Sequence, residues 1–394
     1  MVIGILTVHK QINYGAILQT YALQSTLERL GHKVVILDRN IDSTTGPILG
    51  AISNGSLRCW LQILLRECLG LWDIQDIIRR IRSLMFIKKH LHLTKYKFND
   101  WTDAPEKLGV DLIVVGSDQI WNTKHHDPRV FLLEGAPNIP AITYAASFGT
   151  DGIDEKWISL FQKQLPKFKK LSVREEHGQN ILKSIGFDSE HVLDPTIIAS
   201  KEVWQPFIKN KRNNKKLLVL YLITKPSYDE IMLLDNFAKK NDCIVKIYLG
   251  TTPQVKPSSY LQWKTHFTGL SKSIFGRIKW ALTDTPKEYL NSLANADWVI
   301  TCTFHGFMFS SIFKKQVRIL KNPHRDNLSS FNRLVNFADN FVKGDIIKGD
   351  ISDAIDSIST GATVSYDNEL LDKKKVASVT WLEHTVNDAL NITE

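Results

Sequence analysis

Short runs of β-branched and aliphatic residues alternate along the chain with segments whose apolar residues recur at helical spacing. Residues 2–8 form a continuous apolar run typical of a strand covered on both faces, and 16–30 has the spacing of a helix that ends before Gly31. Residues 33–38 complete a strand–helix–strand unit, which predicts a parallel sheet. The same alternation predicts strands at 111–116, 141–145, 170–173 and 191–193, and helices at 154–165 and 176–185.

A second series of strands and helices follows a polar, charged stretch at 209–216, which is the best linker candidate. It predicts strands at 217–222, 243–249, 298–300 and 317–320, and helices at 227–241, 286–295 and 372–390. A chain of 394 residues exceeds one ordinary core, so we expect an α/β protein with two Rossmann-like domains that face a cleft. The expected domains are 1–208 and 216–370, and the sequence leaves open whether the helix in 371–394 packs back on the first.

A helical insertion at about 47–95 is predicted within the first domain. Residues 56–93 interleave large apolar side chains with arginines and lysines, as membrane-surface helices do. Packing on the protein's own domain is the more common explanation for such a pattern. No apolar run approaches the roughly 20 residues that span a bilayer, so no transmembrane helix is expected.

Fifty basic and 41 acidic residues give the chain a net charge of +9, which favours anionic partners. Phosphorylated substrates and an acidic membrane surface remain open, whereas nucleic acid is not expected, because zinc-finger spacing and long basic runs are absent from the sequence. The four cysteines form no Cys-x-x-Cys pair, and the amino terminus lacks a signal-peptide pattern. We therefore expect a cytoplasmic protein, and no metal site.

One strand of the second half breaks at His305-Gly306 and restarts as an apolar helix. Gly306 permits close approach of backbone to a ligand, Thr303 can cap the helix, and the first helical turn attracts anions. His305 would then stand beside an anion site. A capped helix with a merely hydrogen-bonded histidine is an equal alternative for so short a motif.

The loop at 9–16 follows the first strand and contains a single glycine, which argues against a dinucleotide cofactor. Asn13 offers a donor and an acceptor, and Tyr14 offers an apolar face with a polar tip, so both suit a sugar. A turn formed by Asn-x-Gly is the structural alternative.

The loop at 116–122 also follows a buried strand and is rich in residue types that bind sugars. Asp118 could accept a hydroxyl proton, Gln119 and Asn122 could orient hydroxyls, and Trp121 could stack on a pyranose ring. Asp118 could equally be a helix N-cap.

At a third junction Arg174 leaves a strand just before a helix, where it can grip a phosphate or carboxylate. A salt bridge to Glu175 or Glu176 is as good an interpretation. The pair Asp194-Pro195 is expected to be a turn with a structural role only.

These segments together resemble the polysaccharide pyruvyl transferase family over about residues 1–335. The matching motifs are Asn13-Tyr14-Gly15-Ala16 with Leu18-Gln19, the segment 115–122, Ser172-Val173-Arg174-Glu175, Leu193-Asp194-Pro195-Thr196 and Phe304-His305-Gly306. The resemblance implies a fold similar to GT-B glycosyltransferases and transfer of a pyruvyl group from phosphoenolpyruvate to two hydroxyls of a hexose. The products would be a pyruvate ketal and phosphate, with phosphoenolpyruvate as co-substrate and no cofactor. The acceptor would belong to a bacterial capsule or exopolysaccharide, often lipid-linked, so peripheral contact with the inner membrane is also implied.

The resemblance also implies roles for individual residues. His305 would be the acid or the phosphate partner, Arg174 the fixed positive charge, and Asp118 the base. The implied donor site is Arg174, Thr303, His305 and Gly306. The implied acceptor site is Asn13, Tyr14, Gly15, Gln19, Ser117, Gln119, Trp121 and Asn122.

Two positions depart from the family pattern. Cys302 stands where an acidic residue is usual, and the arginine expected downstream falls on Ser330, with Arg325 and Arg333 as other sources of a cation. The alternative function is a GT-B nucleotide-sugar glycosyltransferase. It is disfavoured because residues 307–315 contain no carboxylate to hold a ribose. A non-catalytic carbohydrate-binding protein is the third possibility.

Overall fold

A computed structural model describes residues 1–10, 13–39, 74–124, 127–209, 215–250, 276–321 and 328–391. The first half is built on a parallel five-stranded sheet in the order β2-β1-β3-β4-β5. Its strands are β1 Val2–Leu6, β2 Lys33–Ile36, β3 Leu112–Val115, β4 Ala141–Thr143 and β5 Phe168–Lys170. Its helices are α1 Tyr14–Arg29, α2 Ile74–His90, α3 Glu155–Gln164, α4 Glu176–Ser184, α5 Pro195–Ile198 and α6 Lys201–Trp204. The pair β6 Ser172–Val173 and β7 Glu190–His191 lies beside this sheet.

The second half is built on a parallel six-stranded sheet in the order β10-β9-β8-β11-β12-β14. Its strands are β8 Lys216–Leu222, β9 Cys243–Leu249, β10 Ile278–Trp280, β11 Trp298–Thr301, β12 Gln316–Leu320 and β14 Ile347–Lys348. The helices are α7 Tyr228–Lys240, α8 Pro286–Asn295, α9 Phe304–Ile312, α10 Leu328–Phe341, α11 Ile351–Ser359 and α12 Asn368–Ala389. A small antiparallel pair, β13 Val342–Lys343 and β15 Ser365–Tyr366, completes it.

The α/β class with parallel sheets is therefore confirmed. Central strands are buried on both faces, as their unbroken apolar runs predict: Ile3, Val114 and Val299 are all 0% exposed. The strand predicted at 170–173 is divided at Leu171 into β5 and β6, which belong to different sheets.

The described part of the insertion is α2, which connects the two halves. Arg82 donates from Nη1 to the Thr283 carbonyl at 2.8 Å and from Nη2 to Glu288 at 3.0 Å, while Phe86 and Ile87 are buried in the core. This helix thus packs on the protein itself. Residues 40–73, which include the first part of the insertion, and 210–214 of the linker lie outside the described residues, and the membrane interpretation stays a prediction.

The helix α12 returns to the first half. The Ser378 hydroxyl accepts from the Leu193 amide at 3.0 Å, and Lys375 donates to the Ala199 carbonyl at 3.1 Å. Leu382 and Val386 are completely buried beside it. Within the described part of the chain, no helix is both long and apolar enough for a membrane span.

An aromatic cluster joins the start of α1 to the second half. The Tyr14 ring stacks on Tyr289 with centroids 4.8 Å apart, and the Tyr14 hydroxyl donates to the Asp284 carbonyl at 2.9 Å. Tyr221 and Tyr248 pack edge-on against the stack. This cluster holds the amino-terminal end of α1 against α8 and the strands β8 and β9.

Candidate active site

The helix α9 begins directly after β11. Thr303 is its N-cap, with the hydroxyl accepting from the Gly306 amide at 3.1 Å. A Cβ at Gly306 would lie 2.4 Å from the Thr301 hydroxyl oxygen, so it is this capping arrangement, rather than close approach of a ligand, that requires glycine there. The amides of Phe304 and His305 donate to no acceptor within the described residues, so the first turn presents two N–H groups.

A cavity lies between the two halves at this helix start. The first half contributes Asn13, Asp118, Gln119 and Arg174, and the second half contributes Thr303, Phe304, His305 and Arg333, with Tyr221, Ile223 and Gly250 completing the wall. Six of the predicted site residues therefore meet at one place, although the sequence separates them by up to almost 300 positions.

Asp194 links the two halves beneath this cavity. Its Oδ2 accepts from Arg174 Nη1 at 2.9 Å and from the Ser117 hydroxyl at 3.5 Å, and lies 3.6 Å from His305 Nε2. Its Oδ1 caps α5 by accepting from the Thr196 amide and hydroxyl at 2.9 and 2.6 Å. The structural role expected for this pair is seen in the N-cap, and the carboxylate also contacts Arg174 and His305, two of the predicted site residues.

The buried charges of Asp194 and Arg174 stabilise each other. Burial alone would raise the pKa of the Asp194 carboxyl, but His305, Arg174 and Thr196 outweigh it and hold that pKa far below its ordinary value. Burial would likewise lower the pKa of the Arg174 guanidinium, but Glu175, Asp194 and Asp118 raise it above its ordinary value. The carboxylate and the guanidinium are both fully ionised at neutral pH.

Two buried donors of the site have no hydrogen-bond partner in the described structure. They are Arg174 Nη2 and His305 Nε2, on side chains from opposite halves, in residues that are 5% and 7% exposed. Arg174 also donates from Nε to Glu175 at 3.1 Å. His305 Nε2 lies 3.6 Å from the Asp194 carboxylate, whereas Arg174 Nη2 lacks an acceptor, and an unsatisfied buried donor is costly.

Arg333 brings a second guanidinium to the cavity. The Cζ atoms of Arg174 and Arg333 lie over the Phe304 ring, 4.2 and 5.0 Å from its centroid. With the oxygen of the Gln119 amide turned toward it, Arg333 donates from both Nη atoms at 2.9 Å, and its Nη1 lies 3.8 Å from Glu175. Of the two alternative cations that the sequence offers, Arg333 is on the cavity wall and Arg325 lies outside the described residues.

Asp118 is held in a turn on the cavity wall. Its φ of 69° is unusual for a non-glycine residue, and its carbonyl accepts from the amides of Ile120 and Ser147 at 2.8 and 3.1 Å. Its carboxylate accepts from the Gln119 amide at 2.9 Å. No helix begins within 119–124, where residues 120–121 and 123–124 form turns, so Asp118 is not a helix N-cap.

Five residues assigned to the acceptor are buried away from this cavity: Tyr14, Gln19, Ser117, Trp121 and Asn122. Trp121 is 0% exposed and packs against Phe148 and Phe161 at centroid distances of 5.1 and 5.8 Å, so its ring cannot stack on a bound sugar. Gln19 donates to the Thr7 hydroxyl at 3.1 Å and to its own helix. The five side chains are buried in the interior of the protein. They are therefore corrected from sugar-binding residues to residues that support the cavity from behind.

Gly15 has a different role from the one assigned to it. It lies against the His305 ring across the boundary between the halves, and a Cβ there would lie 2.1 Å from Nδ1.

Within the described residues, no group of three or more His, Cys, Asp or Glu side chains is arranged to hold a metal ion.

Two parallel α/β sheets that face a shared cavity define a GT-B-like protein. A Listeria monocytogenes protein named as a UDP-N-acetylglucosamine 2-epimerase matches with a TM-score of 0.50, and the MnaA–UDP co-structure from S. aureus with 0.52. Their identities are 10% and 11%, and each comparison covers 100% of this chain and 97% of the other. At such identities the likeness concerns the fold alone.

The polysaccharide pyruvyl transferase profile matches residues 13–324, which include the cavity residues of both halves except Arg333. The chain belongs to the polysaccharide pyruvyl transferase family. Among curated proteins, none matches it at a significant level.

Proposed function

We propose that this protein transfers the pyruvyl group of phosphoenolpyruvate to two hydroxyls of a hexose in a bacterial surface polysaccharide or its lipid-linked precursor. The observation that carries the proposal is the meeting of Arg174, His305 and Arg333 at one cavity between the two halves. Family membership supports pyruvyl transfer, and the two guanidinium groups support an anionic substrate between the two halves.

Phosphoenolpyruvate carries a carboxylate and a phosphate, and the cavity offers several groups that suit two anions. Arg174 and Arg333 supply guanidinium groups, which bind carboxylate and phosphate with two parallel hydrogen bonds. The first turn of α9 adds the amides of Phe304 and His305 and the positive end of the helix dipole. The arrangement supports one anionic group at Arg174 and the other at the helix start.

Ketal formation needs one proton to be added and two to be removed. Protonation of the donor methylene carbon makes a methyl group and an oxocarbenium-like centre, which the first hydroxyl oxygen attacks. The carbon–oxygen bond to phosphate then breaks, and the second hydroxyl oxygen closes the ketal. One hydroxyl proton balances the methyl proton, and the other leaves with the phosphate.

His305 lines the cavity and is the proposed acid for the methylene carbon or the departing phosphate. The Asp194 carboxylate lies 3.6 Å from His305 Nε2, where it can orient the imidazole, and it accepts from Arg174 Nη1 at 2.9 Å. Asp118 is the proposed base for the acceptor hydroxyl, since its carboxylate stands on the same wall. In this chain Asp194 thus supplies a carboxylate for the histidine although position 302 is cysteine.

The test is acceptor-dependent phosphate release from phosphoenolpyruvate with galactose, mannose and glucosamine acceptors, free and lipid-linked. Product mass should rise by one pyruvate ketal. His305→Asn and Arg174→Lys should each lower kcat/KM by about 100-fold or more, since each removes transition-state stabilisation. His92→Asn is a matched control, because His92 is a surface residue with a side chain 62% exposed.

Turnover of a nucleotide sugar without consumption of phosphoenolpyruvate would replace this proposal with the glycosyltransferase alternative. Sugar binding without turnover of either donor would favour a carbohydrate-binding protein. A cytoplasmic location and contact with the inner membrane stay predictions, tested by whether the full-length protein sediments with vesicles containing anionic lipid.

A further inference from the structure

Glu175 brings a carboxylate to both arginines of the cavity between the two halves, the donor cavity. Its Oε1 accepts from Arg174 Nε at 3.1 Å and lies 3.8 Å from Arg333 Nη1. Arg174 follows β6 in the first half, and Arg333 belongs to α10 in the second. A single carboxylate oxygen therefore lies between one guanidinium group from each half.

These three side chains are withdrawn from solvent. The side chain of Arg174 is 1% exposed, that of Arg333 6% and that of Glu175 10%. Two buried guanidinium groups on one cavity wall repel each other, and a buried charge is costly unless an opposite charge lies close to it. Asp194 is a further partner of Arg174 at 2.9 Å, but Glu175 is the carboxylate that stands between the two arginines.

The Glu175 carboxylate is itself held in place. Ser147, which is completely buried, donates from its hydroxyl to Glu175 Oε1 at 2.7 Å. Glu175 occupies the N-cap position of α4, but its side chain accepts no capping hydrogen bond from that helix. The carboxylate is thus directed to the arginines and to Ser147, and the helix does not depend on it for a cap.

A second side chain of the first half also holds Arg333. With the Gln119 amide oxygen turned toward Arg333, that oxygen accepts from both Nη atoms at 2.9 Å. Gly149 leaves the room for this arrangement, since a Cβ there would lie 2.5 Å from Gln119 Cδ. The place of Arg333, a residue of the second half, is therefore set by side chains of the first half.

We propose that Glu175 is a positioning residue for the donor, which holds the guanidinium groups of Arg174 and Arg333 together so that both contact one phosphate-bearing ligand. The inference rests on the proposed function for the identity of that ligand, phosphoenolpyruvate. Glu175 acts through the two arginines, because its own negative charge would repel an anion.

The sign of the effect tests this role. Glu175→Gln removes a negative charge beside an anion site, so a residue that contributed only its charge would give a variant that binds anions more tightly. Loss of positioning predicts the opposite: phosphoenolpyruvate should bind Glu175→Gln about 10-fold more weakly than the wild type, measured by calorimetry without acceptor. Glu176→Gln is the matched control, because Glu176 is the next residue and is exposed, and it should bind as the wild type does.

A double-mutant cycle shows whether Glu175 acts through Arg333. Arg333→Gln alone should weaken binding about 10-fold, and the double variant with Glu175→Gln should stay within about 3-fold of the weaker single variant, because little positioning is left to lose. Ser147→Ala keeps the carboxylate but removes the hydroxyl that holds it, so this milder variant should weaken binding about 3-fold even if Glu175→Gln does not fold.

Unchanged or tighter binding by Glu175→Gln, or additive losses of about 100-fold in the double variant, would overturn the positioning role. Inorganic phosphate as a second probe separates this inference from the proposed function. If phosphate binds and Glu175→Gln weakens it while phosphoenolpyruvate does not bind, the positioning role stands and the donor assignment fails. If both anions bind the wild type and Glu175→Gln equally, the positioning role fails and the donor assignment stands.

Discussion

Gly15 and His305 form a steric interlock between the two halves of the protein. A Cβ at residue 15 would lie 2.1 Å from His305 Nδ1 and 2.8 Å from its Cβ, far inside van der Waals contact. Gly15 lies in the first turn of α1, and His305 in the first turn of α9. The absence of a side chain at Gly15 thus leaves the room that the His305 ring, the proposed acid, occupies.

Gly15→Ala should lower kcat/KM by about 100-fold, because His305 must leave its place and misplacement of a catalytic group by about 1 Å has that cost. Alanine is a better helix former than glycine, so the helix itself gives no reason for a loss. Steady-state kinetics and a thermal unfolding curve measure both effects. Gly152→Ala is the matched control, since its added Cβ meets nothing within 4 Å; unchanged activity of Gly15→Ala would contradict the interlock.

Asp194→Asn should destabilise the protein by about 3 kcal/mol at neutral pH, because it removes a buried partner of Arg174. The native state holds the pKa of Asp194 below its ordinary value of 3.8, so ionisation stabilises the fold above about pH 4. That contribution is lost as pH falls through the lower native pKa. Urea unfolding across the acidic range should show a weaker loss of stability in the variant than in the wild type.

Asp345→Asn controls for simple loss of a carboxylate, because the Asp345 side chain is 80% exposed in a surface ion pair with Lys348. It should leave both stability and its acid dependence nearly unchanged. Equal acid dependence in Asp194→Asn and the wild type would show that Asp194 does not carry the charge assigned to it.

Cys302→Ala should retain catalysis within about 3-fold of the wild type. Cys302 is 8% exposed, is in the apolar cluster of the second half and does not line the donor cavity. The carboxylate that supports His305 is Asp194, so position 302 need not be acidic. A loss as large as that of Asp194→Asn, measured as kcat/KM for phosphoenolpyruvate, would contradict this assignment.

Trp121→Phe separates a core residue from a sugar platform. The Trp121 ring packs between core aromatics, and its indole N–H is buried without a partner, so the variant should change stability while KM for the acceptor stays the same. Gln119→Ala, on the cavity wall and in contact with Arg333, should instead reduce activity. An acceptor KM raised only in Trp121→Phe would restore the stacking assignment.

The sequence predicts most strands, because buried parallel strands leave unbroken apolar runs. It misses α10, in which Asn332, Asn336 and Asn340 are weak helix formers, although Phe331, Leu334, Ala338 and Phe341 recur at helical spacing and could have indicated it. It also misses β10, which has only three residues. A run of three residues is too short to predict a strand, whereas the apolar spacing of α10 is readable from the sequence.

The sequence predicts only part of the candidate site, and the reason is physical. Asp118, Arg174 and His305 follow the carboxyl ends of β3, β6 and β11, which belong to different sheets, and they meet because the two halves face each other across the cavity. Whether Trp121 lines a cavity or fills a core depends on Phe148 and Phe161, which no local pattern reveals. Asp194 was missed because its partners Arg174, Ser117 and His305 are 20, 77 and 111 positions away.

The most direct measurement is calorimetric titration of phosphoenolpyruvate into the protein without acceptor. The wild-type protein should bind it, and Arg174→Lys and His305→Asn should each bind at least about 10-fold more weakly, while His92→Asn binds as the wild type does. Absence of binding to the wild type, or equal binding by all four proteins, would contradict a donor site between Arg174 and His305.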